Sequence, residues 1–241
     1  MAGHSKWANI KHRKGAQGAK KGKIFTKIIK EITVAARLNG GDQESNPRLR
    51  RALLNARSNN MPQSNITRAI KKGTGELEGV NYEEYIYEGY GPCGIAIIIE
   101  VITDNKNRTV SELRYILSKN NGSLSEPGSV LWMFEKKGEI IIKDIDNDEN
   151  QIISDIIDCG ADDFKKTDSG YIILTNQNNL SSIRFHLEKL NYSISSSSIV
   201  MVPKTKQAAS SEGQANIIQL LELIDNHEDV NQVFSNILIE S

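Results

Sequence analysis

At 241 residues the chain exceeds the usual size of one domain, and its 38% hydrophobic and 25% charged composition fits a globular protein of two or three compact units. No apolar run approaches the roughly 18 residues that cross a bilayer, the longest, residues 95–99, being closed by Glu100, so a membrane-spanning role is not expected. The net charge of zero hides a sorted distribution: residues 1–80 carry 17 Lys+Arg against 5 Asp+Glu, a net of +12, and residues 81–241 carry 13 against 25, a net of −12. Like charges at this density repel one another, and a polyanionic partner is the simplest relief.

The first 23 residues, MAGHSKWANIKHRKGAQGAKKGK, have no apolar periodicity and read as a mobile arm that would order on binding. They lack the apolar stretch of a secretory signal, and six Lys with one Arg and several Gly breaks argue against a mitochondrial presequence, which leaves the cytoplasm as the expected location. A helix should follow, because Phe25, Ile28, Ile29, Ile32, Ala35 and Ala36 recur at helical spacing before Asn39-Gly40-Gly41, with Lys27, Lys30 and Arg37 off that stripe. Asn46-Pro47 opens a second helix with Leu49, Ala52, Leu53 and Ala56 on one face and Arg48, Arg50, Arg51 and Arg57 on the rest. A third, over residues 64–72, places Ile66 and Ile70 one turn apart and ends on Lys71 and Lys72, which complement its negative end.

From Tyr82 the period changes. Residues 82–90 and 94–103 read as strands joined at Gly91-Pro92-Cys93-Gly94; Thr109-Val110-Ser111-Glu112 fits a capping box for a helix burying Val110, Leu113, Ile116 and Leu117; residues 129–134 read as a further strand. Next come a strand at 139–143, a helix with Ile152, Ile153, Ile156 and Ile157, a strand near 170–174, a helix at 178–190 and a strand at 192–201. With a short strand near 163–166 this order is β-α-β-β-α-β, a ferredoxin-like sandwich. A Ser/Ala-rich linker at 204–214 precedes a helix carrying Ile217, Ile218, Leu221 and Ile224 and a strand at 230–239. The expected fold is α+β in three domains: the basic arm and three-helix domain (1–79), a discontinuous α/β domain (80–136 plus 204–241), and a ferredoxin-like α/β domain inserted in it (137–203).

Lysines neutralise phosphates and release counterions, and an exposed Trp or His stacks on unpaired bases. The nucleic-acid-binding candidates are therefore Lys6, Trp7, Lys11, His12, Arg13, Lys14, Lys20, Lys21, Lys23, Lys27 and Lys30, extended over the helical domain by Arg48, Arg51, Lys71 and Lys72. His4 lies among the arm residues, and Arg50, Arg57 and Arg68 add to the same surface. The alternatives are a solubilising tail and, for many of the arginines, pairing with the acidic remainder of the chain. No helix-turn-helix spacing supports base-specific reading. An enzyme is not expected: His4, His12, His186 and His227 are scattered, and no phosphate loop, nucleophile elbow, metal-ligand spacing or cofactor motif is present. Cys93, in a glycine turn, reads as a small buried hydrophobe rather than a reactive thiol, Cys93 and Cys159 as two lone thiols suit a reducing compartment, and Asp144, Asp146, Asp148 and Glu149 read as a solvated helix entrance rather than a metal loop.

MAGHSKWANIKHRKGAQGAKKGKIFTKIIKEI, NPRLRRALLNARSNNMP, ITRAIKKGTG, YEGYGP, TDNKNRT, GSVLWMF and HEDVNQVFSNI follow one another as in the YebC/PmpR family, which the chain resembles over nearly its whole length. Departures are Cys93, where the family usually has glycine, and Ser125-Glu126-Pro127 ahead of Gly128. The resemblance implies a helical domain followed by two α/β domains. It further implies a cytoplasmic, DNA-binding transcriptional regulator, or a ribosome-associated translation factor contacting ribosomal RNA and aiding synthesis of proline-rich stretches; relatives include the mitochondrial translational activator of cytochrome c oxidase subunit I. Protein partners for the acidic domains are also expected, and a membrane partner is not.

Overall fold

The computed structural model describes residues 18–143, 148–167 and 169–239. The chain is α+β, a three-helix N-terminal domain followed by two α/β domains, one inserted in the other. It divides into two compact units, Met1–Phe134 with Pro203–Ser241, and Glu135–Val202.

Helix α1 (Gly18–Asn39) begins inside the stretch whose composition suggests a mobile arm, so Lys20, Lys21 and Lys23 fall on a helix. Helices α2 (Pro47–Ser58) and α3 (Gln63–Thr74) follow. Asn46 caps α2 by accepting from the Leu49 N–H, with Pro47 at the first helical position, where a missing N–H costs nothing. Ile28, Ile32, Leu49, Leu53, Ala56 and Ile66 close the helical core. Gly73 lets α3 approach α1: a Cβ there would lie 2.5 Å from the Thr33 carbonyl oxygen and 2.7 Å from Ala36 Cβ.

In the first α/β domain, β1 (Glu83–Tyr90), β2 (Ala96–Thr103), β3 (Ser123–Ser125) and β9 (Val230–Ser235) form a sheet in the order β3-β1-β2-β9. Helices α4 (Lys106–Lys119) and α7 (Ser211–Asp225) pack on it through Leu113, Leu117, Ile217, Leu221 and Ile224. Its central strand, AIIIEVIT, is buried on both faces, because α1 also reaches β2 and β9. Three expectations are corrected here. Asn105, not Thr109, caps α4. Residues 129–134 are no strand but a 3-10 turn, Leu131–Met133, running into β4 (Phe134–Lys143). The supposed linker at 204–214 holds strand β8 (Gln207–Ala208), paired in parallel with β10 (Ile237–Leu238), and the first turn of α7.

The second unit contains β4, α5 (Glu149–Asp158), β5 (Asp163–Thr167), β6 (Gly170–Asn176), α6 (Leu180–Lys189) and β7 (Ile194–Pro203). The order β5-β6-β4-β7, with β6 antiparallel to both β4 and β5, is that of a ferredoxin-like sheet. Asp148 caps α5, the helix-entrance role its sequence suggests; Asp144 and Asp146 lie outside the described residues.

Candidate nucleic-acid interface

The structure sorts the cations of the helical domain into those committed inside the fold and those facing outward. The apolar stripe of α1 leaves Lys27, Lys30 and Arg37 on another face, but that face is turned to the α/β domain. Lys30 is the clearest correction: its ammonium is 2.5 Å from Asp229 Oδ1 and donates to the Glu228 carbonyl, with little of the side chain left in water. Asp229 is fully buried and also accepts from Thr109 Oγ1 (2.7 Å), Arg108 (3.0 Å) and Thr103 Oγ1 (3.2 Å). Burial opposes the Asp229 charge, and the bonds from Lys30, Thr109 and Arg108 overcome it, holding the carboxyl well below the usual carboxylate range. Thr109, in the capping-box pattern of the sequence, is thus a buried ligand of this carboxylate.

Lys27 donates to the Asp225 carbonyl and pairs with that residue's carboxylate at 3.7 Å; Lys23 donates to the Asn226 carbonyl. Arg37 bonds Asn81 and the Tyr82 carbonyl. Arg48 is likewise committed, forking between Glu31 (2.7 Å) and Glu84 (2.6 Å). Burial disfavours its charge, and the two carboxylates more than restore it, raising its pKa. Arg50 donates to the carbonyls of Gln43 and Glu44, and Arg51 is half-buried. Paired with carboxylates in this way, Lys30 and Arg48 cannot reach an external phosphate without losing those partners, whereas the exposed Lys23, with one carbonyl bond, keeps donors to spare.

Three of the remaining cations share one face of α3. Arg68, Lys71 and Lys72 stand three and four residues apart on α3, opposite the buried Ile66, Ala69 and Gly73. The helix, QSNITRAIKKGT, contains no acid. Arg68 and Lys71 are exposed, and Lys72 rests its stem against Gly79. Arg57, exposed in the last turn of α2, adds a fourth cation, and among the described residues none of these four side chains has an ion-pair or hydrogen-bond partner. Arg57 shares the acid-free α2 with Arg48 and Arg51, so no local pattern separates them; the partners Glu31 and Glu84, brought to Arg48 by the fold, do. Lys6, Trp7, Lys11, His12, Arg13 and Lys14 lie outside the described residues, and Lys20 and Lys21 are placed on α1 by their backbone.

Among the described residues one group has the residue types of a metal site, Glu112, His227 and Asp229, with ligand atoms within 4.8 Å of one another. Its hydrogen bonds argue against that use. His227 Nδ1 accepts from the Asp229 N–H at 3.1 Å, which puts the ring proton on Nε2, 2.7 Å from Glu112 Oε2. A metal at Nε2 would need that proton moved to Nδ1, against the amide, while both Asp229 oxygens are already engaged. Cys93 is exposed rather than buried, with φ of 60°. That left-handed backbone explains why a glycine suits the position. Cys159 is half-buried, and burial pushes its thiol pKa up. No described helix is long and apolar enough to cross a membrane.

Fold and surface together define an α+β protein of three domains with a cationic helical end. Two family models match the chain, "TACO1/YebC protein N-terminal domain" over residues 5–76 and "TACO1/YebC second and third domain" over residues 82–237, and the chain belongs to this family. Among its relatives, proteins of Desulfosudis oleivorans (48% identical over 98% of this chain and 96% of the relative) and Desulfotalea psychrophila (49% over 100% and 96%) are each named "probable transcriptional regulatory protein". A crystal structure of a conserved hypothetical protein from Aquifex aeolicus is similar with a TM-score of 0.87 and 41% identity over 92% of each chain.

Proposed function

We propose that this protein is a non-enzymatic, cytoplasmic regulator of gene expression that binds nucleic acid through the outer face of α3, joined by the basic arm, and that its primary role is regulation of transcription through DNA. The observation that carries the reading is the acid-free α3 with Arg68, Lys71 and Lys72, which, like Arg57 of α2, have no internal partners among the described residues. Unpartnered cations repel one another, and phosphates in register with them relieve that repulsion while releasing counterions. The exposed Gln63, Ser64 and Thr67 on the same helix offer side chains able to hydrogen-bond base edges or phosphates. Names of the relatives support transcription as the process.

A second reading rests on the Gly-broken, Lys-rich arm with Trp7, whose composition suits the irregular surface of ribosomal RNA better than a duplex groove, as in a ribosome-associated translation factor. Crosslinking in cells followed by sequencing of the attached nucleic acid separates the two. Promoter DNA supports the first reading and ribosomal RNA the second, and recovery of neither refutes both.

A further inference from the structure

Between β3 and β4 the chain makes a loop with an unusual division of labour. Val130 and Phe134 are buried and anchor it, while Leu131 is 37% and Trp132 67% exposed. The backbone between these anchors is held by a buried carboxylate. Glu88, on β1 and only 5% exposed, accepts from the amides of Gly128 (2.6 Å), Val130 (2.6 Å) and Leu131 (2.7 Å). Its burial disfavours the charge, and the three amides outweigh that and lower its pKa. The indole is fixed too, because Trp132 Nε1–H donates to the Ser129 carbonyl at 3.0 Å. Lys204 closes the loop from the other side, its amide donating to the Met133 carbonyl and its ammonium to the Trp132 carbonyl at 2.8 Å.

A singly exposed aromatic is ordinary on a protein surface. Here, however, a buried charge, the indole N–H and both nitrogens of Lys204 immobilise a loop that leaves most of an indole in water, with its only polar atom already satisfied. What remains available is a rigid apolar π-face and, at the backbone carbonyl of the same residue, an ammonium with donors to spare. Flat aromatic plus adjacent cation is the pairing that single-stranded nucleic acids select, since every base has a face to stack and a phosphate within reach.

We propose that Trp132 is a stacking platform for one unpaired base of a single-stranded nucleic acid, with Lys204 meeting the adjoining phosphate and Glu88 acting as the positioning residue. The inference rests on the nucleic-acid reading above and adds a second contact to it, one that favours single strands over duplexes. The alternative occupant, an aromatic or aliphatic side chain of a partner protein, has no need of the ammonium.

The test uses the full chain. Trp7→Phe leaves Trp132 as the sole tryptophan, so its emission reports on the loop alone. Titration with a short oligouridylate should quench that emission with the midpoint given by anisotropy of the labelled oligonucleotide, and a duplex of equal length should quench it less. Trp132→Ala should weaken oligouridylate binding about 5- to 100-fold with the salt slope unchanged, as expected for loss of one stacked base. Lys204→Ala should reduce the slope by about 0.7, one phosphate on a single strand. Glu88→Gln, which keeps the side chain's shape, should leave a smaller quench, a readout that a merely structural role would not move. Binding by anisotropy with Trp132 emission unchanged and Trp132→Ala within twofold of the wild type overturns the stacking site, leaves the α3 interface standing, and assigns the loop to a protein partner. No anisotropy change with either oligonucleotide overturns both.

Discussion

Replacing Asp229 by Asn tests whether the helical domain and the first α/β domain are tied by charge. Asp229 has no exposed side-chain surface, and Lys30, 2.5 Å away, has almost none. The substitution removes the negative charge and turns an amide N–H₂ toward a cluster of donors from Lys30, Arg108, Thr103 and Thr109. Breaking one side of a buried pair costs about 3–5 kcal/mol, because the ammonium stays desolvated without its partner. That is a large share of the ~5–15 kcal/mol that a domain of ordinary stability has. Equilibrium unfolding in urea should show the midpoint falling by the corresponding amount at constant slope. Removing both members, Asp229→Leu with Lys30→Met, should cost at least about 1 kcal/mol less than the sum of the single changes, since touching residues couple. A loss below about 1 kcal/mol for Asp229→Asn, or strict additivity in the double variant, would refute the assignment of Lys30 to the interior and return it to the binding surface.

Four further outcomes are expected. Replacing Arg68, Lys71 and Lys72 by Ala should lower the salt slope of DNA binding by roughly 0.9 for each phosphate no longer neutralised, whereas Arg48→Ala should lower thermal stability and leave the slope alone. Both Asp229 and Glu88 have native pKa values below the ordinary range, so they contribute stability that is full above the unfolded-state value of about 4 and is lost as pH falls through their native values. Urea midpoints measured from neutral to acid pH should therefore fall below about pH 4, and less steeply in Glu88→Gln. Gly73→Ala should cost about 1–3 kcal/mol by forcing α3 away from α1, read as a lower melting temperature. A thiol reagent should modify Cys93 fast and Cys159 slowly, and Cys93→Gly, which relieves the left-handed backbone, should abolish the fast phase while raising stability by about 0.5–1 kcal/mol.

Local patterns in the sequence were enough for most elements and their inward faces. Ile28, Ile32, Leu49 and Ile66 at helical spacing, Asn46-Pro47 as a helix start, the β-branched run of β2 and the β-α-β-β-α-β order all report local physics, in which a side chain's preference is met by neighbours a few residues away or by any apolar surface. The fate of the polar groups, by contrast, was settled by contacts between residues far apart in the chain. Lys30 lies off the apolar stripe of α1 and would be exposed on an isolated helix; Asp229, 199 residues later, arrives to bury it. Thr109 has the composition of a cap and becomes a ligand of that same carboxylate. The amides of residues 130 and 131, which a strand would give to a ladder, are captured by Glu88, and that capture turns Trp132 into solvent. The cations left over on α3 are defined only by subtraction. Charge can be counted along a chain, but whether a given charge is already neutralised depends on which opposite charge the fold carries to it, and no local pattern encodes that pairing.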